Sequence, residues 1–388
     1  VTTRARILLA SLVVAAVAIA VLTSAGWPAR SYLNSDFMQY YAGSRALLED
    51  ASPYDQAWWN KFHERLGSIV NTGPPHTGDP TTDWTTPYPL WTFVLFLPIA
   101  VFPFDMAAPV FAVLQIVLVL MAAAVLARML LPDQRGGTPV VLALIVASEP
   151  LWVLTAGGNT TGFVAAAFAA ATAAILARRA TIAGILLSLL LMKPHLIVLG
   201  AIALFIGARP ELRRPLAAGA VAGASVLIVP TLVLRPNWVG DWLRAASRLQ
   251  DTSLSNASGW TIARPFTPDF IVPSAIVVIL CVLALAMWWW RDRPPLPSLV
   301  AGALPVSVLV APHAWSYDYI LLVPSVVLGV AIASGSRARA AGLFGLALVV
   351  VLVPWILYIV ALRRNGEDLS AWLLVAAEVL LITLARKR

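Results

Sequence analysis

Long apolar runs constrain this chain more than any motif does. Many of them approach the ~20 residues needed to cross a hydrocarbon core of ~30 Å. Inside a bilayer every backbone polar group must be paired within the protein, which leaves only helices and closed barrels. Run length selects helices, because a tilted barrel strand needs only about ten residues. Composition agrees: 60% of residues are apolar and 12% charged, where soluble domains carry about 25% charge. The fold class expected is all-α, a polytopic helical membrane protein in which length counts spans and not soluble domains.

Candidate spans are 7–25, 105–131, 139–156, 160–177, 181–193, 195–208, 215–235, 271–290, 296–312, 316–334, 340–362 and 369–385. The run 87–103 is ambiguous, since Pro87, Pro89, Pro98 and Pro103 interrupt it. The positive-inside rule arbitrates. If 87–103 does not cross and 181–208 crosses twice, sixteen of the 27 basic residues face the cytoplasm, among them Arg128, Arg135, Arg178, Arg179, Arg209, Arg213, Arg291 and Arg337. The competing layout makes 87–103 a span and 181–208 one kinked helix, and it moves Arg128, Arg135, Arg178 and Arg179 outside. The first layout is preferred. It gives about 12 transmembrane helices, cytoplasmic termini, a large first extracytoplasmic loop over 26–86 and a second over 236–270. No internal repeat of the kind built into many transporters is visible.

The single cysteine, Cys281, permits no internal disulfide and no cysteine-rich metal site. The net charge of +8 fits cytoplasmic arginines on anionic lipid better than nucleic acid. Arginine in large excess over lysine, with valine first, points to a GC-rich bacterial gene. Gly26-Trp27-Pro28 is no leader-peptide cleavage site, so the first run is expected to be a retained helix.

In the preferred layout the unusual polar residues gather on the outer face. Asp36 lies just beyond the first span, in Asn34-Ser35-Asp36-Phe37-Met38-Gln39-Tyr40-Tyr41. It is either a cap for an amphipathic helix over 37–49 or a base where bilayer meets water. Ser52-Pro53-Tyr54-Asp55 reads as a turn, and Trp58-Trp59 as part of an interfacial belt. Gly157-Gly158-Asn159-Thr160-Thr161-Gly162 is a tight turn, or a set of backbone N–H groups for a phosphate or sugar. Asn159-Thr160-Thr161 also matches a glycosylation pattern, a match too short to weigh.

Lys193-Pro194-His195 interrupts an apolar stretch. An intramembrane lysine is costly unless paired or wet, so an anion site competes with a merely structural pair. Glu149 is one candidate partner. Pro312-His313-Ala314-Trp315-Ser316-Tyr317-Asp318-Tyr319 sets a histidine five residues from an aspartate among aromatics. The loop 236–270 holds Trp238, Trp242, Arg244, Arg248, Trp260 and Arg264, suited to an interface or to a lipid phosphate and sugar ring. The four histidines show no metal-ligand spacing.

Asp36-Phe37-x-x-Tyr40-Tyr41-Ala42, then Pro53-Tyr54, Pro87-Tyr88-Pro89, Gly158-Asn159, Lys193-Pro194 and Pro312-His313…Tyr317-Asp318 together resemble glycosyltransferase family 87, of the GT-C superfamily. Gly157-Gly158 and Pro89-Leu90 depart from the family's usual Gly-Gln and Pro-Pro. The resemblance implies a GT-C-like single domain over 1–388. It implies an inverting transferase that takes sugar, mannose first and arabinofuranose second, from a polyprenyl-phosphate carrier. The acceptor would be an envelope glycolipid or polysaccharide, at the extracytoplasmic face of a bacterial cell membrane. Asp36 is then the expected general base. Lys193, His195, Arg264 and His313 would hold the donor phosphate, and no metal or other cofactor would be needed. Tyr40, Tyr41, Trp84, Tyr88, Asn159, Trp260, Trp315 and Asp318 would contact substrate. The carrier tail would lie in a groove near 87–103. A lipid-linked-sugar flippase and a membrane scaffold are the rival readings; the missing repeat and one-sided polar residues argue against the first, and the second gives no reason for Asp36, Lys193 and His313 to share one face.

Overall fold

The computed structural model describes residues 35–67, 86, 88–132, 136–247, 256–335, 339–364 and 366–386. The first apolar run, Trp84, Arg248 and most of the loop 26–86 lie outside these. Every regular element among the described residues is helical. Short helices α1 (Asp36–Leu48), α2 (Gln56–Gly67) and α3 (Leu90–Ala100) precede the long α4 (Phe104–Leu130). Then come α5 (Gly137–Ala147), α6 (Glu149–Gly157), α7 (Thr161–Leu176), α8 (Ala180–Ser188), α9 (Pro194–Gly207), α10 (Pro210–Leu234) and α11 (Trp238–Ser247). The chain closes with α12 (Ile271–Asp292), α13 (Leu296–Val310), α14 (Val323–Gly335), α15 (Arg339–Ala347), α16 (Val353–Arg364) and α17 (Ala371–Arg386).

Five helical runs among the described residues are long and apolar enough to cross a membrane, and a sixth if the bent pair α5–α6 is one span. The bend is 51° and falls at Ser148-Glu149-Pro150. Pro150 is tolerated in the first turn of α6, where its missing N–H has no helical partner anyway. Further apolar helices, including α3, α7, α9 and α13, are only 10–17 residues long. The twelve spans expected from hydropathy therefore reduce to five or six by helix length. Short helices suffice where neighbouring protein pairs and covers them.

Small residues let these helices approach closely. A Cβ on Gly184 would meet the Leu216 carbonyl at 2.1 Å, and one on Gly219 the Thr181 carbonyl at 2.2 Å. These contacts clamp α8 to α10. Gly200 packs on Leu304, and Gly207 on Leu296, which sets α9 antiparallel to α13.

The helices run back and forth between two ends. One end gathers α1, the 157–161 turn, Lys193 and the 311–318 segment, as the hydrogen bonds below show. The other gathers the turns 177–179, 207–210 and 292–296, with exposed Arg178, Arg179, Arg209, Arg214, Arg291 and Arg293. Helix α3 enters and leaves at the first end. The Tyr54 hydroxyl donates to the Tyr88 carbonyl before it (2.9 Å) and the Tyr41 hydroxyl to the Phe102 carbonyl after it (2.9 Å). Eleven residues rise about 16 Å, half the hydrocarbon thickness. Alone, α3 is too short to cross a membrane.

Two local expectations change. Helix α1 is packed on most of its circumference, with Phe37, Met38, Tyr40, Tyr41, Ala42, Gly43 and Ser44 all buried, so it is no amphipathic surface helix. Trp58 and Trp59 are buried too; their indole N–H groups donate to Glu49 and to the Pro53 carbonyl.

Candidate active site

Four chain breaks assemble the site. Asp36 opens α1, where Ser35 in extended backbone precedes it. Gly158 ends α6 in the left-handed region, at φ 62°. Its missing Cβ is needed, since one would lie 2.5 Å from the Phe37 Cβ. That close approach presses the Asn159 turn onto α1. Lys193 precedes Pro194, which excludes helical backbone at the lysine; its φ of −145° and ψ of 64° interrupt the path into α9. The fourth break leads into a 3-10 helix over Ser316–Leu322, unusually long for its type. Asp318 Oδ2 accepts the Trp315 backbone N–H at 2.9 Å and closes that turn.

The side chains from these breaks form one connected network. Asn159 Nδ2 donates to Asp36 Oδ2 and to the Tyr317 hydroxyl, the latter at 3.2 Å. Asn159 Oδ1 accepts the Thr161 backbone N–H at 3.0 Å and lies 2.8 Å from the Thr161 hydroxyl oxygen. The Thr161 hydroxyl also reaches Asp318 Oδ1, at 2.5 Å. Lys193 Nζ meets the same oxygen at 3.3 Å and lies 5.5 Å from the centre of the Tyr317 ring. Asn159, Thr161, Lys193 and Asp318 are all buried, while Asp36 stays partly open. Asp36 is thereby tied, through an amide and a hydroxyl, to a buried ion pair.

Neighbours complete the walls. The Thr160 hydroxyl donates to the Tyr40 hydroxyl at 3.2 Å, and the Tyr40 ring packs on Tyr88 at 4.6 Å. Trp91 donates to the Leu191 carbonyl at 3.2 Å and so joins α3 to the Lys193 break. His313 Nε2 accepts the Trp315 indole N–H at 2.7 Å. Behind the site Ser316 is held twice: its hydroxyl donates to Glu149 Oε1 at 2.9 Å, its backbone N–H to Glu367 Oε2 at 2.6 Å.

Burial pushes the Asp36 carboxyl above its ordinary value, against the opposing pull of the Lys193 charge and the Asn159 hydrogen bond. Burial lowers His313, although Asp318 pulls the other way. A neutral imidazole agrees with an Nε2 that accepts a hydrogen bond, which leaves Nδ1–H to donate.

Several expected residues meet here: Asp36, Tyr40, Tyr88, Asn159, Lys193, His313, Trp315 and Asp318, with His195 within electrostatic reach of Lys193 and Asp318. Others do not join the network. The Tyr41 hydroxyl is spent on Phe102, and its ring sits among Phe37, Phe62 and Phe104. Trp260 donates to the Val310 carbonyl (2.9 Å) with its ring partly exposed, and Arg264 is exposed on the same loop. The partner of Lys193 is Asp318, not Glu149. Thr161 and Glu367 were not singled out by sequence. Thr161 lies within a pattern set aside as a chance glycosylation match, and Glu367 sits in a short polar link between two spans.

The model of glycosyltransferase family 87 matches residues 84–312, more than half of the chain. No curated protein and no solved structure matches it. The matched stretch carries Asn159, Thr161 and Lys193. Asp36 and Asp318 lie outside it, one on each side, and the hydrogen bonds bring both onto it.

Proposed function

The chain belongs to glycosyltransferase family 87, and we propose that it moves a sugar from a polyprenyl-phosphate carrier to an envelope glycolipid or polysaccharide with inversion at the anomeric carbon. Membership makes it a membrane glycosyltransferase with a sugar donor and an acceptor. The observation that carries the finer reading is the network itself. A partly open carboxylate and a buried ammonium are fixed at opposite ends of the Asn159–Thr161–Asp318 chain.

Asp36 accepts the proton of the acceptor hydroxyl as that oxygen attacks the anomeric carbon. The bond from that carbon to the phosphate oxygen breaks, and the polyprenyl phosphate leaves with one more negative charge. Lys193 stabilises that charge in a site from which burial has removed most water. An ammonium carries three donors; Asp318 orients it through one contact. The fixed cation supplies the positive charge, so we propose a reaction that proceeds without metal. Tyr88 and Trp315, both half-buried, offer ring faces to the sugars, and Tyr40, fully buried, packs against Tyr88.

The exposed arginines at the far end support a layout with that end in the cytoplasm, by the positive-inside rule. At the site end Arg65 pairs with Glu49 and Arg235 with Asp50, while Arg264, Arg363 and Arg364 are exposed. The proposed layout has about twelve crossings, counting short helices that cross inside the bundle. It puts the site on the extracytoplasmic face of a bacterial cell membrane, with the loops 26–86 and 236–270 beside it.

The test is sugar transfer by purified protein in lipid, with EDTA present. Radiolabelled polyprenyl-phosphate-mannose and an envelope glycolipid extract are the substrates, and a labelled glycolipid is the expected product. If label crosses the bilayer and no glycosidic bond forms with mannose or arabinofuranose donors, the protein is a flippase and the proposal fails.

A further inference from the structure

Helix α6 is tied to one segment at both of its ends. Its C-terminal end leads into Asn159 and Thr161, whose side chains meet Tyr317 at 3.2 Å and Asp318 at 2.5 Å. Its first residue, Glu149, accepts the Ser316 hydroxyl at 2.9 Å. Ser316, Tyr317 and Asp318 are consecutive, and α6 packs along the 3-10 helix that carries them. Nine residues rise about 13 Å, so ties that far apart fix register and tilt together.

The bend before α6 aims Glu149. Pro150 has no N–H, so the Val146 carbonyl loses its helical donor, and the Trp152 indole replaces it at 2.6 Å. The Ala147 carbonyl accepts the Trp355 indole at 2.9 Å, and the Ile145 carbonyl the Ser148 hydroxyl at 2.7 Å. With all three carbonyls paired, the 51° turn is a fixed corner and not a hinge. It sets Glu149 fully inside the bundle. A carboxyl there carries a desolvation cost and asks for a functional reason. Glu367 holds the same serine from a third part of the chain, through the backbone N–H at 2.6 Å.

We propose that Glu149 is a positioning residue: through Ser316 it sets α6 against the 3-10 helix and holds the Asp36–Asn159 half of the site in register with the Asp318–Lys193 half. Its effect on catalysis rests on the reaction proposed above. Glu149 stands behind the site, and what it fixes is the spacing between a base and a cation that act on the same anomeric carbon. A misplacement of about 1 Å between such groups can slow a reaction 10²-fold. The substrates keep their own contacts, so the loss belongs to kcat and not to KM.

Glu149→Met removes the acceptor and keeps an unbranched side chain. Glu149→Gln keeps an acceptor oxygen, and since Oε2 has no partner among the described residues, an amide nitrogen in its place breaks no bond. The Met variant should lose roughly 10–100-fold in kcat, with both KM values within about twofold of wild type; the Gln variant should transfer near the wild-type rate. Glu149→Met with Ser316→Ala strands no hydroxyl, so it stands in if the single variant fails to fold. It should be no slower than Glu149→Met, because both remove one contact. Hydrogen exchange of the same proteins in lipid needs no sugar transfer to be read. In Glu149→Met, peptides over 314–320 and over 156–162 should both exchange faster, while those over α8 and α10 keep their rates. Faster exchange throughout makes Glu149 a structural residue alone and overturns the proposal. So does unchanged exchange at either end of α6, an unaltered kcat in a folded Met variant, or a loss in Glu149→Gln as large as in Glu149→Met. If both ends loosen together and even wild type transfers no sugar, the clamp stands and the transferase reading falls.

Discussion

Burial, more than any charge near it, sets the acidity of Asp36. A base works only when ionised, and a raised pKa means Asp36 takes up its proton at a higher pH than a free carboxyl. kcat/KM should therefore fall with decreasing pH along a limb above the ordinary carboxylate range, near ~3.9. The Lys193 charge pulls that pKa down but does not outweigh burial; a pH–rate profile of the wild-type protein checks where the limb lies. Asn159→Asp would turn the donor toward Asp36 into an acceptor and a like charge. The expected loss is roughly 10–100-fold in kcat, the worth of about 1–3 kcal/mol of unmade hydrogen bonding, with the protein still folded. The Lys193–Asp318 pair is a different case. Lys193→Met strands a buried carboxylate and should cost about 3–5 kcal/mol of stability, read as a fall in Tm. Lys193→Met with Asp318→Asn should recover much of the Tm and none of the transfer. The lysine's importance was legible, because an intramembrane charge needs a reason. Its partner was not, since Glu149 and Asp318 are both carboxylic side chains and only the fold decides between them.

At the scale of elements, hydropathy located the apolar helices among the described residues to within a few residues, because apolar length is what a bilayer demands. What it missed lies where protein replaces lipid as the neighbour. Helix α1 looked like a surface helix since Gln39, Ser44 and Arg45 dilute its apolar face. In the fold Ser44 bonds back to the Tyr40 carbonyl at 2.7 Å and across to the Phe93 carbonyl at 2.8 Å, so its polarity is satisfied inside. The glycine turn carried two sequence readings, tight turn or backbone anion site. The fold uses it as a hinge that delivers the Asn159 side chain. Gly158 is the residue that permits this. Gly158→Val meets both a positive φ and the Phe37 Cβ, so it should push the turn off α1 and abolish transfer. Gly157→Ala, whose Cβ meets nothing within 4 Å, should leave transfer intact. Comparing the two in the same transfer assay isolates the contact.

At the scale of the whole molecule, the network stands at one end, and the exposed Arg178, Arg179, Arg209, Arg214, Arg291 and Arg293 stand at the other. Cys281, the only cysteine, is buried, so new cysteines report topology against a quiet background. Asp269→Cys at the site end should react with an impermeant maleimide in intact cells. Arg178→Cys should react only after permeabilisation. The reverse pattern would invert the layout and put the site in the cytoplasm.

The central claim is that Asp36 performs the chemistry while the rest of the network holds the donor. Single-turnover transfer by Asp36→Asn in lipid, with donor binding followed on the same sample, tests it most directly. The account predicts bound donor, a folded protein and transfer slowed by about 10²–10⁴-fold, the usual worth of a general base. Transfer at the wild-type rate would contradict it.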